Sequence, residues 1–141
     1  MHSKIRTTLA VQALRAPLGP ALCALVATAL LVFSVVSHAA ESFDDQSFKQ
    51  AQAAGKTILV DVTAPWCPTC RRQRPIVEQI EKEKPNLVVY ELDFDTAKDA
   101  LKRFRVQYQS TLIVFKGSKE VGRSTGDTDA ARIRALVAKG F

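Results

Sequence analysis

A stretch near the middle of the chain does most to restrict the fold. Residues Thr57 to Thr63 read Thr-Ile-Leu-Val-Asp-Val-Thr, an almost unbroken run of apolar and β-branched side chains. Such a run is typical of a central strand covered on both faces, because a strand with one wet face alternates apolar and polar residues. Covering both faces of a sheet takes a layer of helices on each side, so the sequence favours an α/β domain.

The segments around this strand alternate between helical and strand-like patterns. We predict a helix over Ser42–Ala54 with Ser42 as its N-cap, and a helix from about Cys67 to Lys84 that Pro75 kinks. The other predicted elements are strand Leu87–Phe94, a helix capped by Thr96, strand Thr111–Phe115, polar edge strand Lys119–Thr125 and a C-terminal helix around Ala130–Val137. Two strand–helix–strand crossovers followed by a hairpin imply a mixed four-stranded sheet flanked by helices on both faces.

The first 39 residues differ in composition from everything that follows. They hold no acidic residue, carry Lys4, Arg6 and Arg15 in their first part, and contain an uncharged run from Leu18 to Val36. Small residues at Ser37 and Ala39 then suit cleavage after Ala39. These features predict a secretory signal peptide over residues 1–39, ahead of a domain over residues 40–141.

An uncleaved N-terminal membrane anchor is the alternative interpretation of this segment. Its apolar run is long for a signal peptide and close to the ~20 residues that span a bilayer. Both interpretations export the domain, since positively charged flanks stay on the cytoplasmic side. We therefore expect a periplasmic protein, tethered to the inner membrane if the segment is kept.

Setting this segment aside changes what the composition means. The full chain has a net charge of +6, and the segment carries three of its 20 basic residues and none of its 14 acidic ones, so the domain carries +3. The segment also takes both histidines and Cys23, which leaves Cys67 and Cys70 in the domain. The basic stretch Arg71–Arg74 lacks an accompanying aromatic stacking surface, so we interpret it as a solvated helix face and expect no nucleic-acid partner.

Cys67 and Cys70 stand three residues apart, where the predicted central strand gives way to a helix. A helix N-terminus presents unpaired N–H groups and a partial positive charge, which stabilise a thiolate and lower the pKa of a cysteine there. Cys70 lies one turn further on, within reach of a mixed disulfide on Cys67. The spacing predicts that Cys67 is an exposed nucleophile and that Cys70 is a buried resolving thiol.

Other roles for the pair fit the sequence less well. A zinc site normally needs four ligands, and two cysteines without a histidine supply them only across a dimer. A purely structural disulfide would close so short a loop that it constrains the unfolded chain very little. Redox chemistry is therefore favoured. A metal- or cluster-binding module that uses the pair across a dimer is the alternative.

Asp61 is a third candidate site residue. A carboxylate in the middle of an apolar strand is expected to be buried, and burial raises its pKa. Its position six residues before Cys67 suits a group that accepts the proton of Cys70 during attack. A structural aspartate bonded to the backbone is the alternative.

The run Trp66-Cys67-Pro68-Thr69-Cys70 resembles the redox loop of the thioredoxin family. The likeness covers most of Ser42–Phe141, with Asp61 at the family's buried carboxylate, Pro75 at its helix-kinking proline and Gly126 at a glycine after its hairpin. The family's additional N-terminal strand is not evident. Together with the N-terminal segment, the chain is similar to periplasmic thioredoxin-like proteins. The resemblance implies a thioredoxin-like α/β fold and a thiol–disulfide oxidoreductase that needs no bound cofactor.

This chain departs from the family pattern at a proline. Family members carry a cis-proline facing the cysteines, and here Ser110 takes its place, with no proline anywhere after Pro85. A cis bond before a residue other than proline costs ~3–4 kcal/mol, so we expect the Gln109–Ser110 bond to be trans. Loss of this proline also opens the cysteines to metal or cluster binding, which keeps the non-redox alternative in view.

Two further departures bear on the pKa of Asp61 and on the direction of electron transfer. Glu91 stands where thioredoxins often have a lysine near the buried aspartate, and if Glu91 and Asp61 lie close together the two carboxylates raise each other's pKa. Pro68 and Thr69 replace the Gly-Pro of reducing thioredoxins and lack the histidine of strongly oxidising relatives. We expect a reduction potential nearer the reducing end of the family's range.

Taken with the resemblance, these features predict an exported enzyme that reduces or exchanges disulfides. Its catalytic residues are expected to be Cys67, Cys70 and Asp61. The resemblance implies a substrate-binding surface made of Trp66, Pro68, Thr69, Gln109 and Ser110. The expected partners are exported proteins with thiols or disulfides, with a membrane thiol protein as electron donor. The enzyme itself is expected to be a monomer.

Overall fold

The computed structural model describes residues 40–141, so the predicted signal segment over residues 1–39 lies outside the described part of the chain. Five strands and four helices follow one another along residues 40–141. In chain order they are β1 Glu41–Ser42, α1 Asp45–Ala53, β2 Thr57–Thr63, α2 Pro68–Glu83, β3 Leu87–Asp93, α3 Lys98–Arg103, β4 Thr111–Lys116, β5 Lys119–Thr125 and α4 Ala130–Ala138.

The strands form one mixed sheet in the order β1-β3-β2-β4-β5. Strand β3 runs parallel to both β1 and β2, whereas β4 is antiparallel to β2 and β5 is antiparallel to β4. In this register Asp61 of β2 lies beside Glu91 of β3 on one side and Leu112 of β4 on the other. The predicted α/β fold with β2 as a buried central strand is confirmed.

The sheet has five strands, so the expectation of four and of no N-terminal strand is wrong. Ser42 belongs to β1, which pairs with β3, and the next residue, Phe43, donates its N–H to the carbonyl of Glu91 at 2.8 Å. Helix α1 begins later than predicted because Asp44 is its N-cap and accepts from the N–H of Ser47 at 2.7 Å. A two-residue strand is too short to show the alternation by which strands are recognised.

The predicted cap of the third helix is also wrong. Helix α3 has Ala97 at its N-cap position, without a side-chain hydrogen bond. The hydroxyl of Thr96 instead donates to Asp93 Oδ1 at 2.9 Å, and the same oxygen accepts from the N–H groups of Asp95 and Thr96. Asp93 therefore organises the turn before the helix and binds the Thr96 hydroxyl that was expected to cap it.

Each face of the sheet carries its own apolar core. On one face, α1 and α3 cover an aromatic-rich cluster that includes Phe48, Tyr90, Phe104 and Phe115. On the other, α2 and α4 cover an aliphatic cluster built from Leu59, Val77, Ile80, Val89, Leu112, Val114, Ile133 and Val137. Because side chains alternate along a strand, Asp61 shares the face of Leu59 and points towards the side covered by α2.

The edge strand β5 has the predicted bounds, and all seven of its residues are exposed or half-buried. Between residues 40 and 141, no helix has the combination of length and apolar character that crossing a membrane requires.

Candidate active site

The two cysteines lie where the central strand β2 passes into helix α2. Cys67 is the N-cap of that helix, with extended backbone angles, and its N–H donates to the carbonyl of Ala64 at 3.1 Å. Pro68 occupies the start of the helix, where a residue without an N–H costs nothing. This local geometry places Cys70 in the first turn of α2 and confirms the predicted junction of strand and helix.

Cys67 and Cys70 are joined by a disulfide, with their Cα atoms 5.3 Å apart. The backbone N–H of Cys70 also donates to the sulfur of Cys67 at 3.0 Å. The structure therefore describes the oxidised form of the pair, with the Cys67 sulfur held at the end of the helix by one of its free N–H groups.

The expected exposure of Cys67 is wrong for this form of the protein. Its side chain is 0% exposed and that of Cys70 is 3% exposed. Both pack in a small cluster with Ala64, and Phe94 lies against that cluster. The covering arises from tertiary contacts of the loop, which the spacing of the two cysteines does not reveal.

Ser110, at the position of the family's proline, contacts both cysteines. Its Oγ lies 3.1 Å from the sulfur of Cys67 and 3.3 Å from the sulfur of Cys70. The Gln109–Ser110 peptide bond is trans, as expected, and Ser110 has a φ of +60°. The residue is buried, so it forms a wall of the site rather than an open substrate surface.

Asp61 is 6% exposed and lies beside Glu91 in the register of β2 and β3. Burial raises the pKa of Asp61 to about 7; the nearby charge of Glu91 adds to the rise, and Arg74 opposes it. No protein atom between residues 40 and 141 donates a hydrogen bond to Asp61 Oδ1. The expected burial of Asp61 and the effect of a neighbouring Glu91 on its pKa are thus both seen.

A cavity of about 440 Å³ opens beside the cysteines. Cys70 and Glu91 line it, and the guanidinium-bearing residues Arg71 and Arg74 lie along its wall with Asp93. The cavity gives the Cys70 side of the disulfide a polar, mixed-charge surround, whereas Cys67 does not line it.

The other predicted site residues lie around the cysteines at different depths. Trp66 is 55% exposed, and its Nε1–H donates to Asp95 Oδ2 at 2.7 Å, which fixes the indole at the rim of the site. Pro68 is exposed, while Thr69 and Gln109 are half-buried. The predicted substrate surface is therefore split, with Trp66 and Pro68 outside and Ser110 inside.

Sequence reasoning missed Gln73, which is fully buried although it lies within the stretch interpreted as a solvated helix face. Its side-chain amide donates to the carbonyl of Ser110 at 3.2 Å and to that of Asp127 at 2.6 Å. The helical spacing contained the signal, because Gln73 follows Cys70 by three residues and precedes Val77 by four, on the same buried face. Asp95, the partner of Trp66, has no comparable signal in the sequence.

Within residues 40–141, no three side chains of the His, Cys, Asp and Glu types come together in a group that would hold a metal ion. The cysteine sulfurs are bonded to each other in this form, so the site offers a disulfide at the start of α2 and a buried carboxylic acid on the sheet face that α2 covers. That arrangement suits thiol–disulfide exchange, in which a thiolate attacks one sulfur of a disulfide.

Comparison with known proteins agrees with this chemistry. The sequence profile of the family described as Thioredoxin matches residues 35–139. Thioredoxin-1 of Saccharomyces cerevisiae is 34% identical over 91 residues, which cover 64% of this chain and 88% of the yeast protein. The thioredoxin of Chlamydia muridarum is 36% identical over 93 residues, which cover 66% of this chain and 90% of that protein.

Solved structures give the same result. The crystal structure of Trxlp from Edwardsiella tarda has a TM-score of 0.67 and 40% identity, covering 70% of this chain and 98% of that one. The Fasciola hepatica thioredoxin has a TM-score of 0.60 and 30% identity, covering 66% and 89%. With its paired cysteines at the start of α2, this chain belongs to the thioredoxin family and is a thiol–disulfide oxidoreductase.

Proposed function

We propose that this chain is an exported enzyme that reduces disulfides in partner proteins through Cys67 and Cys70. The observation that carries the proposal is the position of the pair. Both sulfurs lie at the first turn of α2, bonded to each other, and a buried carboxylic acid sits on the sheet face that α2 covers.

The proposed reaction has two exchange steps. In the reduced enzyme, the Cys67 thiolate attacks one sulfur of a partner disulfide, the partner's S–S bond breaks, and one partner thiolate leaves and takes a proton from water. The Cys70 thiol then loses its proton and attacks the Cys67 sulfur, which releases the second partner thiolate. Two electrons pass to the partner, and the enzyme is left with the disulfide that the structure describes.

Asp61 is the proposed acceptor of the Cys70 proton. Its pKa of about 7 leaves it partly ionised near neutral pH, where a group of matched pKa both takes and returns a proton efficiently. The cavity beside Cys70 is the proposed route by which that proton leaves for solvent.

Partner proteins are proposed to approach across the rim formed by Trp66, Pro68 and Tyr108, all of which are exposed. Because the Cys67 sulfur is covered in the oxidised form, attack on it requires the covering side chains to shift. Half-buried Gln109, next to Tyr108, is proposed to offer its backbone to the partner chain, as its place in the family pattern implies.

The N-terminal sequence is the reason for proposing export, and the two residues between the cysteines are the reason for proposing the direction of electron transfer. Pro68 and Thr69 supply no imidazole to stabilise the Cys67 thiolate, so the dithiol is proposed to act as a reductant. The partners are then exported disulfide-containing proteins, and a membrane thiol protein returns two electrons to the enzyme. The enzyme is proposed to work as a monomer in the periplasm.

Reduction of insulin disulfides by the full chain tests the proposal. We expect wild-type protein to reduce insulin and Cys67→Ser to lose that activity, with Cys23→Ser as the cysteine control that retains it. Equal activity of Cys67→Ser and wild type would remove Cys67 from the mechanism. A reduction potential near the oxidising extreme of about −120 mV would contradict the proposed direction.

A further inference from the structure

The hydroxyl of Ser110 lies between the two reacting sulfurs, 3.1 Å from Cys67 Sγ and 3.3 Å from Cys70 Sγ. Neither sulfur of a disulfide carries a hydrogen. The hydroxyl is therefore the donor in any hydrogen bond of this group, and its single hydrogen can turn from one sulfur to the other.

Three hydrogen bonds to the backbone of Ser110 hold the residue in place. Its N–H donates to the carbonyl of Val62 at 2.8 Å, and its carbonyl accepts from the N–H of Gly126 at 2.9 Å and from the amide of Gln73 at 3.2 Å. These contacts come from β2, from the segment after β5 and from α2, so the position of the hydroxyl is fixed from three directions.

The backbone conformation of Ser110 is itself unusual. A φ of +60° is in the left-handed region, which residues other than glycine and asparagine seldom adopt. A glycine would take this conformation without strain but would bring no hydroxyl to the sulfurs. Strain of this kind persists only where the surroundings enforce it, as the three hydrogen bonds to the Ser110 backbone do here.

We propose that Ser110 is a catalytic residue whose hydroxyl donates a hydrogen bond to whichever cysteine sulfur carries negative charge. It stabilises the Cys67 thiolate during attack on a partner and the Cys70 thiolate once that thiol is deprotonated. The hydroxyl keeps its own hydrogen throughout, so it changes the energy of the charged sulfur and transfers no proton. This inference rests on the thiol chemistry of the proposed function but not on its direction.

Ser110 acts alongside other groups that are unaffected by changes to its side chain. The backbone N–H of Cys70 donates to the Cys67 sulfur at 3.0 Å. The charged and titratable side chains buried in or lining the Cys70 side of the site are Asp61 from β2, Arg71 and Arg74 from α2, and Glu91 and Asp93 from β3. A comparison of Ser110 variants therefore isolates one donor.

Alkylation of the reduced full chain by iodoacetamide, followed at Cys67 by mass spectrometry across a pH range, tests this role. Ser110→Ala and Ser110→Gly both lack the hydroxyl, but only glycine relaxes the backbone. We expect both to raise the pKa of Cys67 by about one unit, since a hydrogen bond to a charged group is worth about that much. Ser118→Ala, in the exposed turn between β4 and β5, is the control and should leave the pKa unchanged.

The equilibrium with glutathione gives a second readout. Loss of the donor destabilises the dithiol form, so the disulfide becomes up to tenfold more favoured in both variants, a fall in potential of up to about 30 mV. An unchanged Cys67 pKa in both variants overturns the proposal. A shift in only one of them assigns the effect to the backbone and overturns it as well.

Insulin reduction separates this inference from the proposed function. If Cys67→Ser reduces insulin as well as wild type does, the proposed function fails whatever the Ser110 variants show. If Cys67→Ser is inactive while both Ser110 variants keep the wild-type Cys67 pKa, only the inference about Ser110 fails.

Discussion

Asp61 is a carboxylic acid held in the central strand β2, and its surroundings set how it titrates. Burial raises its pKa to about 7, Glu91 adds to the rise and Arg74 reduces it. The folded state therefore binds this proton more tightly than the unfolded chain, where the pKa is close to 3.8. The stability that the protonated group contributes is complete below that lower pKa and is lost as the pH rises through about 7.

We predict that Asp61→Asn stabilises the folded protein above pH 7 and changes it little at pH 4. The upper limit of the gain is about 4 kcal/mol, because an asparagine avoids an ionised group at this buried position. The gain falls short of that limit because the asparagine amide also needs hydrogen-bond partners. Urea unfolding at pH 4 and pH 8 measures the difference.

Glu91→Gln tests how much of the raised pKa of Asp61 comes from the neighbouring charge. Removing the neighbouring negative charge lowers the pKa of Asp61, so the loss of stability should end at a lower pH and be smaller, while burial keeps the remainder of the shift. Equal stability of Asp61→Asn and wild type at pH 8 would mean that Asp61 is solvated there.

At the scale of elements, the residues just after α4 pack closely against the sheet. Thr57 at the start of β2 donates its hydroxyl to the carbonyl of Gly140 at 2.5 Å. A side chain at Gly140 would meet the Cγ2 of Thr57 and would lie 3.1 Å from the Cγ1 of Val114. Thr57 cannot turn away without breaking its hydrogen bond, so the contact requires the backbone to move.

We therefore predict that Gly140→Ala lowers the free energy of unfolding by about 1–3 kcal/mol, the usual cost of overpacking a filled site. Gly122→Ala is the control: there the new methyl group meets the ends of the Leu136 and Lys139 side chains, which have more rotatable bonds than Thr57, so we expect a smaller cost. Denaturant unfolding of both variants measures the difference. A cost at Gly140 no larger than at Gly122 would contradict the packing argument.

The elements also show where sequence patterns suffice. The apolar run of β2 and the helical spacing of α2 are strong enough to be recognised because burial of whole faces imposes them. Strand β1, with two residues, has no pattern of its own and forms because β3 offers an unpaired edge. The sequence does not identify the cap of α3, because Asp93 and Thr96 both suit a turn and only the folded chain brings the Thr96 hydroxyl to Asp93.

For the whole molecule, the family, the fold class and the cysteine pair could be read from the sequence, since a strand, a loop and Cys-x-x-Cys in that order are local features. The burial of Cys67 and the approach of Ser110 to both sulfurs could not, because they depend on contacts with Phe94 and Ser110, which follow Cys67 by 27 and 43 residues. For Gln73, helical spacing predicts a position on the buried face of α2, but it does not predict the carbonyl groups of Ser110 and Asp127 that the side chain binds.

The N-terminal segment yields a prediction about the whole chain in a cell. We expect the mature protein to begin at Ala40 and to be found in the periplasmic fraction, because residues 1–39 have the charge and small-residue pattern of a cleaved signal. Fractionation and mass spectrometry of the intact protein measure this. Uncleaved protein in the membrane fraction would favour the anchor, and full-length protein in the cytoplasm would contradict export.

The two edges of the sheet bear on whether copies of this protein can associate edge to edge. Exposed strand edges are templates for aggregation unless they are short or charged. Within residues 40–141 one edge is β1, with only two residues, and the other is β5, whose first residues include Lys119 and Glu120. Neither edge strand of the sheet is therefore a long, uncharged template onto which a second copy of the chain could add a strand.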